Sequence, residues 1–96
     1  MVSEKSVIVA AKEQISSELA GEAVILNLKS GVYYGLNPVG ASIWSLIQKP
    51  TPAREIRNAI LEEYNVDFEQ CDRDIKALLE QLHAQGMIEV QNEAAA

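Results

Sequence analysis

Two hydrophobic patterns divide the chain near Asn37. Before it, apolar positions fall in short β-branched or alternating runs; after it, they recur at helical spacing. Val7–Ala11 is β-branched and apolar and reads as a first strand. Residues 13–21 are polar and close on a glycine, which predicts a connecting loop or an irregular edge. Glu22–Leu28 alternates, with Val24, Leu26 and Leu28 on one face and Ile25 and Asn27 on the other. Lys29-Ser30-Gly31 is a turn, and Val32–Leu36 returns as the next strand. A three-residue turn with Gly31 in the left-handed position pairs Leu28 with Val32 and Leu26 with Tyr34. That register puts Val24, Leu26, Leu28, Val32, Tyr34 and Leu36 on one buried face, and a one-residue slip inverts the set.

The strand stops at Asn37-Pro38. Asn is a good N-cap, and proline suits the first helical position because its missing N–H has no intrahelical use there. Helix one is expected to run to about Gln48, with Val39, Ile43, Leu46 and Ile47 on one stripe, Trp44 beside it, and small Gly40 and Ala41 allowing close approach. Thr51-Pro52 repeats the cap-then-proline signal and opens helix two, where Ile56, Ala59, Ile60 and Tyr64 follow helical spacing. Asp67 caps helix three, with Gln70 at the capping-box position; Ile75, Leu78, Leu79 and Leu82 form its apolar face and Gly86 ends it. Met87–Val90 reads as a short strand or extended tail, and Asn92 to Ala96 as a frayed end. The outcome is an α+β fold: a three-stranded antiparallel sheet followed by three helices, in a winged helix-turn-helix-like layout. It fills one domain over residues 1–96, with its core at about 6–90 and no internal linker.

Composition narrows the function. The chain is 48% hydrophobic and 23% charged, enough for a modest core and too apolar for disorder. No apolar run approaches the ~18 residues of a membrane span, and MVSEKSVIVAAKEQ lacks a secretion signal. One cysteine, Cys71, excludes an internal disulfide, and with the single His83 it leaves too few soft ligands for a structural zinc site. A cytoplasmic location and no cofactor are expected. No nucleophile–base pair and no glycine-rich phosphate loop appear, so no enzyme is expected. Asp72 and Asp74, two apart on a helix, point in different directions and make no working carboxylate pair.

The net charge of −6 is uneven: residues 1–53 are balanced, whereas residues 54–96 hold ten acids against four bases. Winged helix-turn-helix proteins that read DNA need clustered Lys and Arg, and this field has the wrong sign. The remaining option is peptide capture at a sheet edge. If Val32–Leu36 is an edge, an extended segment can pair with its free N–H and C=O groups and send alternate side chains into a groove beside helix three. An open edge also allows a homodimer by edge pairing or domain swapping.

At GVYYGLNPVGASIWSLI (31–47), with EI at 55–56, DI at 74–75, ALL at 77–79 and GMIEV at 86–90, the chain resembles the PqqD family, the precursor-peptide recognition proteins also called RiPP recognition elements. The resemblance spans about residues 6–90, and its YYGLNPVGASIW run is the specific part. It implies a three-stranded antiparallel sheet packed on three helices, and a non-catalytic chaperone. Such a chaperone binds the leader region of a ribosomally made peptide and presents it to modifying enzymes. The resemblance places the leader as a strand beside the third strand and against the third helix. By position this implicates Val32, Tyr33, Tyr34 and Gly35 on the strand, and Asp72, Ile75, Lys76, Leu79 and His83 on the helix. Two partner systems fit: the leader protease and cyclase of a lasso-peptide pathway, or a radical-SAM maturase as in quinone-cofactor biosynthesis. The lasso-type system is favoured because small freestanding chains with a YYGLN-type strand are common there.

Overall fold

The computed structural model describes residues 2, 5–12, 14–19 and 22–92. Its elements follow the chain as β1 (Ser6–Ala10), β2 (Gln14–Leu19), β3 (Glu22–Asn27), β4 (Tyr33–Leu36), α1 (Pro38–Leu46), β5 (Thr51–Pro52), α2 (Ala53–Glu63), α3 (Phe68–Ala84) and β6 (Ile88–Asn92). The fold is α+β, with three helices and antiparallel strands. The strands divide between two sheets of three, ordered β5-β1-β6 and β2-β3-β4. This departs from the single sheet expected. The first strand joins the chain's later segments, with Ile8 opposite both Thr51 and Val90. Helices α2 and α3, joined by a short link and followed by β6, give the winged helix-turn-helix-like layout.

The third strand of the hairpin sheet comes from Gln14–Leu19, where a loop was expected. β2 pairs with β3 along its whole length, from Gln14↔Asn27 to Leu19↔Glu22. Ile15 is 56% exposed, and Ser16 and Ser17 are exposed too. A strand held by ladder bonds on one side, with Ile15, Ser16 and Ser17 all exposed, shows no apolar alternation and so resembles a polar loop. Residues 13, 20 and 21 of that expected loop, and 93–96 of the expected frayed end, lie outside the described residues.

The hairpin register also differs by one residue. Leu26 lies opposite Tyr33 and Ile25 opposite Tyr34, and Asn27 N–H donates to the Val32 carbonyl (3.0 Å). Four residues, 28–31, therefore form the loop, with Gly31 at φ +74° as the left-handed member. The slip inverts the buried set on β3: Ala23 and Ile25 are buried, whereas Val24 and Leu28 are 46% and 56% exposed. On β4, Tyr34 and Leu36 keep the inward face. The cause is Asn27. Its Oδ1 accepts from Lys29 N–H (2.9 Å) and Ser30 N–H (3.2 Å), and its Nδ2 donates to the Gln85 carbonyl at the end of α3 (3.1 Å). A buried carboxamide that closes a turn and satisfies an orphan helix carbonyl outweighs the burial of one more apolar residue.

Helix caps set the remaining boundaries. Asn37 Oδ1 accepts from Gly40 N–H (2.8 Å), with Pro38 at the first helical position. Gly40 has no Cβ because one would stand 3.1 Å from Leu36 Cδ2, so α1 lies directly against the end of β4. Thr51 does not cap α2. It pairs with Ile8, its hydroxyl donates to the Leu46 carbonyl (2.9 Å), and Pro52 takes the cap position without a side-chain bond. Asp67 caps α3 through Gln70 N–H (3.1 Å). Gly86, at φ +72°, ends it, with Met87 N–H on the Leu82 carbonyl (2.9 Å) and Gly86 N–H on the His83 carbonyl (3.0 Å). Ile8, Ile25, Ile43, Ile47, Ile56, Ile60, Leu79 and Leu82 are fully buried and join both sheets to all three helices.

Asn27→Ala removes three hydrogen bonds and leaves the Gln85 carbonyl without its side-chain donor. Urea denaturation should show a loss of about 1–3 kcal/mol, against a few tenths for Ser30→Ala, whose hydroxyl holds one exposed bond to Val32 N–H.

Candidate functional site

Strand β4 has one neighbour, β3, and among the described residues nothing pairs with its other side. The ladder decides which groups face that side. Antiparallel pairs alternate between exchanging hydrogen bonds and turning them outward. With Asn27 bonded to Val32, the main-chain groups of Tyr34 and Leu36 point toward β3. Those of Tyr33 and Gly35 point outward, so two N–H and two C=O groups line an open edge.

The side chains alternate as well. Tyr33 stands on the outer face, 70% exposed, in one cross-strand row with Leu26 and Ile15. Tyr34 and Leu36 face inward, and the Tyr34 hydroxyl bonds to Gln81 Oε1 on α3. Between this inner side of β4 and α3 lies an open groove of about 440 Å³. Its floor is apolar, from Val39, Ile43, Ile60 and Ile75, and Leu78 and Asp74 stand on the α3 wall. Asn27 meets Gln85 and Tyr34 meets Gln81, while Leu36 and Asn37 share the groove with Cys71 and Gln70. Strand and helix therefore run in opposite directions along it.

The helix residues implicated from sequence separate onto different sides. Ile75 lines the groove, whereas Leu79 is fully buried in the core. Asp72, Lys76 and His83 stand on the other flank, as ~100° per residue requires. There Asp72 accepts from Arg57 of α2 (3.3 Å) and from Lys76 (3.0 Å). The Lys76 hydrogen bond foremost, helped by Arg57, holds its carboxyl below the usual range against the opposing effect of burial. The groove side of α3 instead carries Gln70, Asp74, Leu78 and Gln81, which were not picked out from sequence. Leu78 was legible as part of the apolar face; the polar members carry no signal until the side of α3 that meets β4 is known.

Cys71 is 5% exposed, and burial, then Asp72 and Asp74, push its thiol pKa up, so it is a packed thiol and a poor nucleophile. Among the described residues no group of three or more His, Cys, Asp or Glu stands together to hold a metal ion. No helix among them is long and apolar enough to cross a membrane.

The family model for coenzyme PQQ synthesis protein D (PqqD) matches residues 22–88, from the start of β3 to the first residue of β6. The chain belongs to the PqqD family. None of the curated proteins matches it significantly. Among solved structures, the PqqD-family chain is similar to TbiB1 in complex with the TbiA(beta) leader peptide, at 34% identity and a TM-score of 0.78, over 84% of this chain and 94% of that one. It is also similar to lasso peptide synthetase B1 complexed with the leader peptide, at 26% identity and a TM-score of 0.74, over 85% and 96% of the two chains.

Two outcomes check this geometry. Tyr33→Pro removes an outward N–H and should leave circular dichroism and the melting temperature close to wild type, whereas Tyr34→Pro removes a ladder donor to β3 and should destabilise the hairpin. Asp72, with its lowered pKa, stabilises the fold above the ordinary carboxylate range near 4, and that contribution is lost as pH falls through the folded value. Asp72→Asn should therefore cost under about 1 kcal/mol at neutral pH, and urea melts should show the deficit closing on acidification.

Proposed function

We propose that this PqqD-family protein is a non-catalytic recognition protein for the leader region of a ribosomally synthesised precursor peptide. The leader adds as a strand to the outer edge of β4, and the bound complex is presented to modifying enzymes. The observation that carries this reading is the open edge of Tyr33 and Gly35 directly above an apolar groove. Main-chain bonds to the edge supply affinity for any extended segment, and the groove selects side chains on alternate positions. That both similar solved structures hold a leader peptide supports the identity of the guest. The contact set is Val32, Tyr33, Tyr34 and Gly35 on the strand side and Ile75 on the helix, extended by Leu78 and Gln81, which border the same groove or bond to Tyr34.

The likeness to lasso peptide synthetase B1 favours a lasso-type pathway, with a leader protease and a cyclase as the enzymes served. The family's description as a coenzyme PQQ synthesis protein supports a second reading, a chaperone for a radical-SAM maturase. DNA binding has no such support: α3 carries four acids against two bases, and the groove has an acidic wall.

A synthetic leader peptide from the cognate precursor should bind with micromolar or better affinity, about 8 kcal/mol or more. Amide shifts should concentrate at Tyr33, Gly35 and the groove side of α3. Tyr33→Pro should weaken binding about tenfold or more. A titration with neither heat nor shifts would rule the reading out, and unchanged affinity in folded Tyr33→Pro would rule out pairing at this edge.

A further inference from the structure

The groove has a single charged wall residue, and it is negative. Among the described residues along it, only Asp74 carries a full charge at neutral pH; the rest are apolar, amide or hydroxyl groups and the packed Cys71 thiol. The carboxylate is exposed and oriented: Gln70 Nε2 donates to its Oδ1 (2.9 Å), and Gln70 is itself held by Arg73 Nη2 on its Oε1 (3.4 Å). Its second oxygen has no partner among the described residues. Asp72, two residues earlier, is by contrast paired with Arg57 and Lys76 on the other flank.

Resting on the peptide reading above, we propose that Asp74 selects a basic residue in the bound strand, so that the guest is an apolar segment carrying one Lys or Arg on its groove-facing side. The position follows from the opposed directions of β4 and α3. Gln81, at Tyr34, is seven residues from Asp74, about 10 Å along the helix. An extended strand covers that span in about three residues. Side chains on one face recur every second residue, so the basic residue lies two or four positions from the apolar residue seated beside Tyr34 and Leu78. It lies toward the Leu36 end of the groove. An acidic residue at that position meets Asp74 alone in a partly desolvated site and is rejected, which gives the groove a sign as well as a shape.

Selection of a phage-displayed library of random peptides on the full-length protein tests this. Wild type should enrich sequences with Lys or Arg two or four positions from an apolar anchor, and Asp74→Lys should enrich Asp or Glu at the same place. Peptides chosen on wild type should bind Asp74→Asn about three- to fivefold more weakly by fluorescence anisotropy, the size of one exposed ion pair, with the gap closing at high salt. Circular dichroism of both variants should match wild type, because Asp74 holds only the exposed Gln70 bond. Binders without a basic preference, or wild-type binders held equally well by Asp74→Lys, would overturn the charge selection and leave the peptide reading standing. Failure of wild type to select any peptide would overturn both.

Discussion

The site depends on the carboxamide of Asn27. Its oxygen closes the β3–β4 turn and its nitrogen ties that turn to the carbonyl of Gln85, the residue that caps the end of α3. The first bond set fixes the register of β4, and the register decides that Tyr33 and Gly35 turn their main-chain groups outward while Tyr34 faces α3. The second fixes where the hairpin meets the helix. The groove therefore opens from a pinned end, with the Tyr34 hydroxyl on Gln81 as the next tie along it. Shifting the register by one residue would aim different main-chain groups at the open edge and turn Tyr33 toward the groove.

An open edge invites unwanted pairing as well as a guest. This one is only four residues long, interrupted by Gly35, and stopped by the Asn37-Pro38 cap, so little main chain is offered to another sheet. Gly40 brings α1 against Leu36 and gives the groove an end wall. The apolar floor then rewards a strand whose alternate side chains are large enough to fill it. Affinity from backbone pairing and choice from the groove are thus separate contributions from one short strand.

The local signals in the sequence were mostly sufficient. The caps at Asn37 and Asp67, the left-handed glycines at 31 and 86, and the apolar faces of α2 and α3 all appear where spacing and residue type put them. The failures share a cause. β2 looks like a loop because its run of exposed Ile15, Ser16 and Ser17 shows no alternation, and what holds it as a strand is pairing with β3. The hairpin register followed the hydrophobic count, which favours Leu28 over Asn27, and nothing local shows that Asn27 has a distant partner in Gln85. On α3, Asp72, Lys76 and His83 share a stripe with Ile75 and Leu79, but which flank meets β4 is set by tertiary packing. The open edge of β4 was legible; the polar residues of α3 that border the groove were not.

Residue-resolved amide hydrogen exchange, with and without a bound leader peptide, tests the central claim most directly. In the free protein, Tyr34 and Leu36 should be protected by β3 while Tyr33 and Gly35 exchange at the rate of open loops, and adding the peptide should protect Tyr33 and Gly35. Protection of Tyr33 and Gly35 in the free monomer would show that the edge is already occupied. Saturation with peptide and no new protection there would place the guest elsewhere.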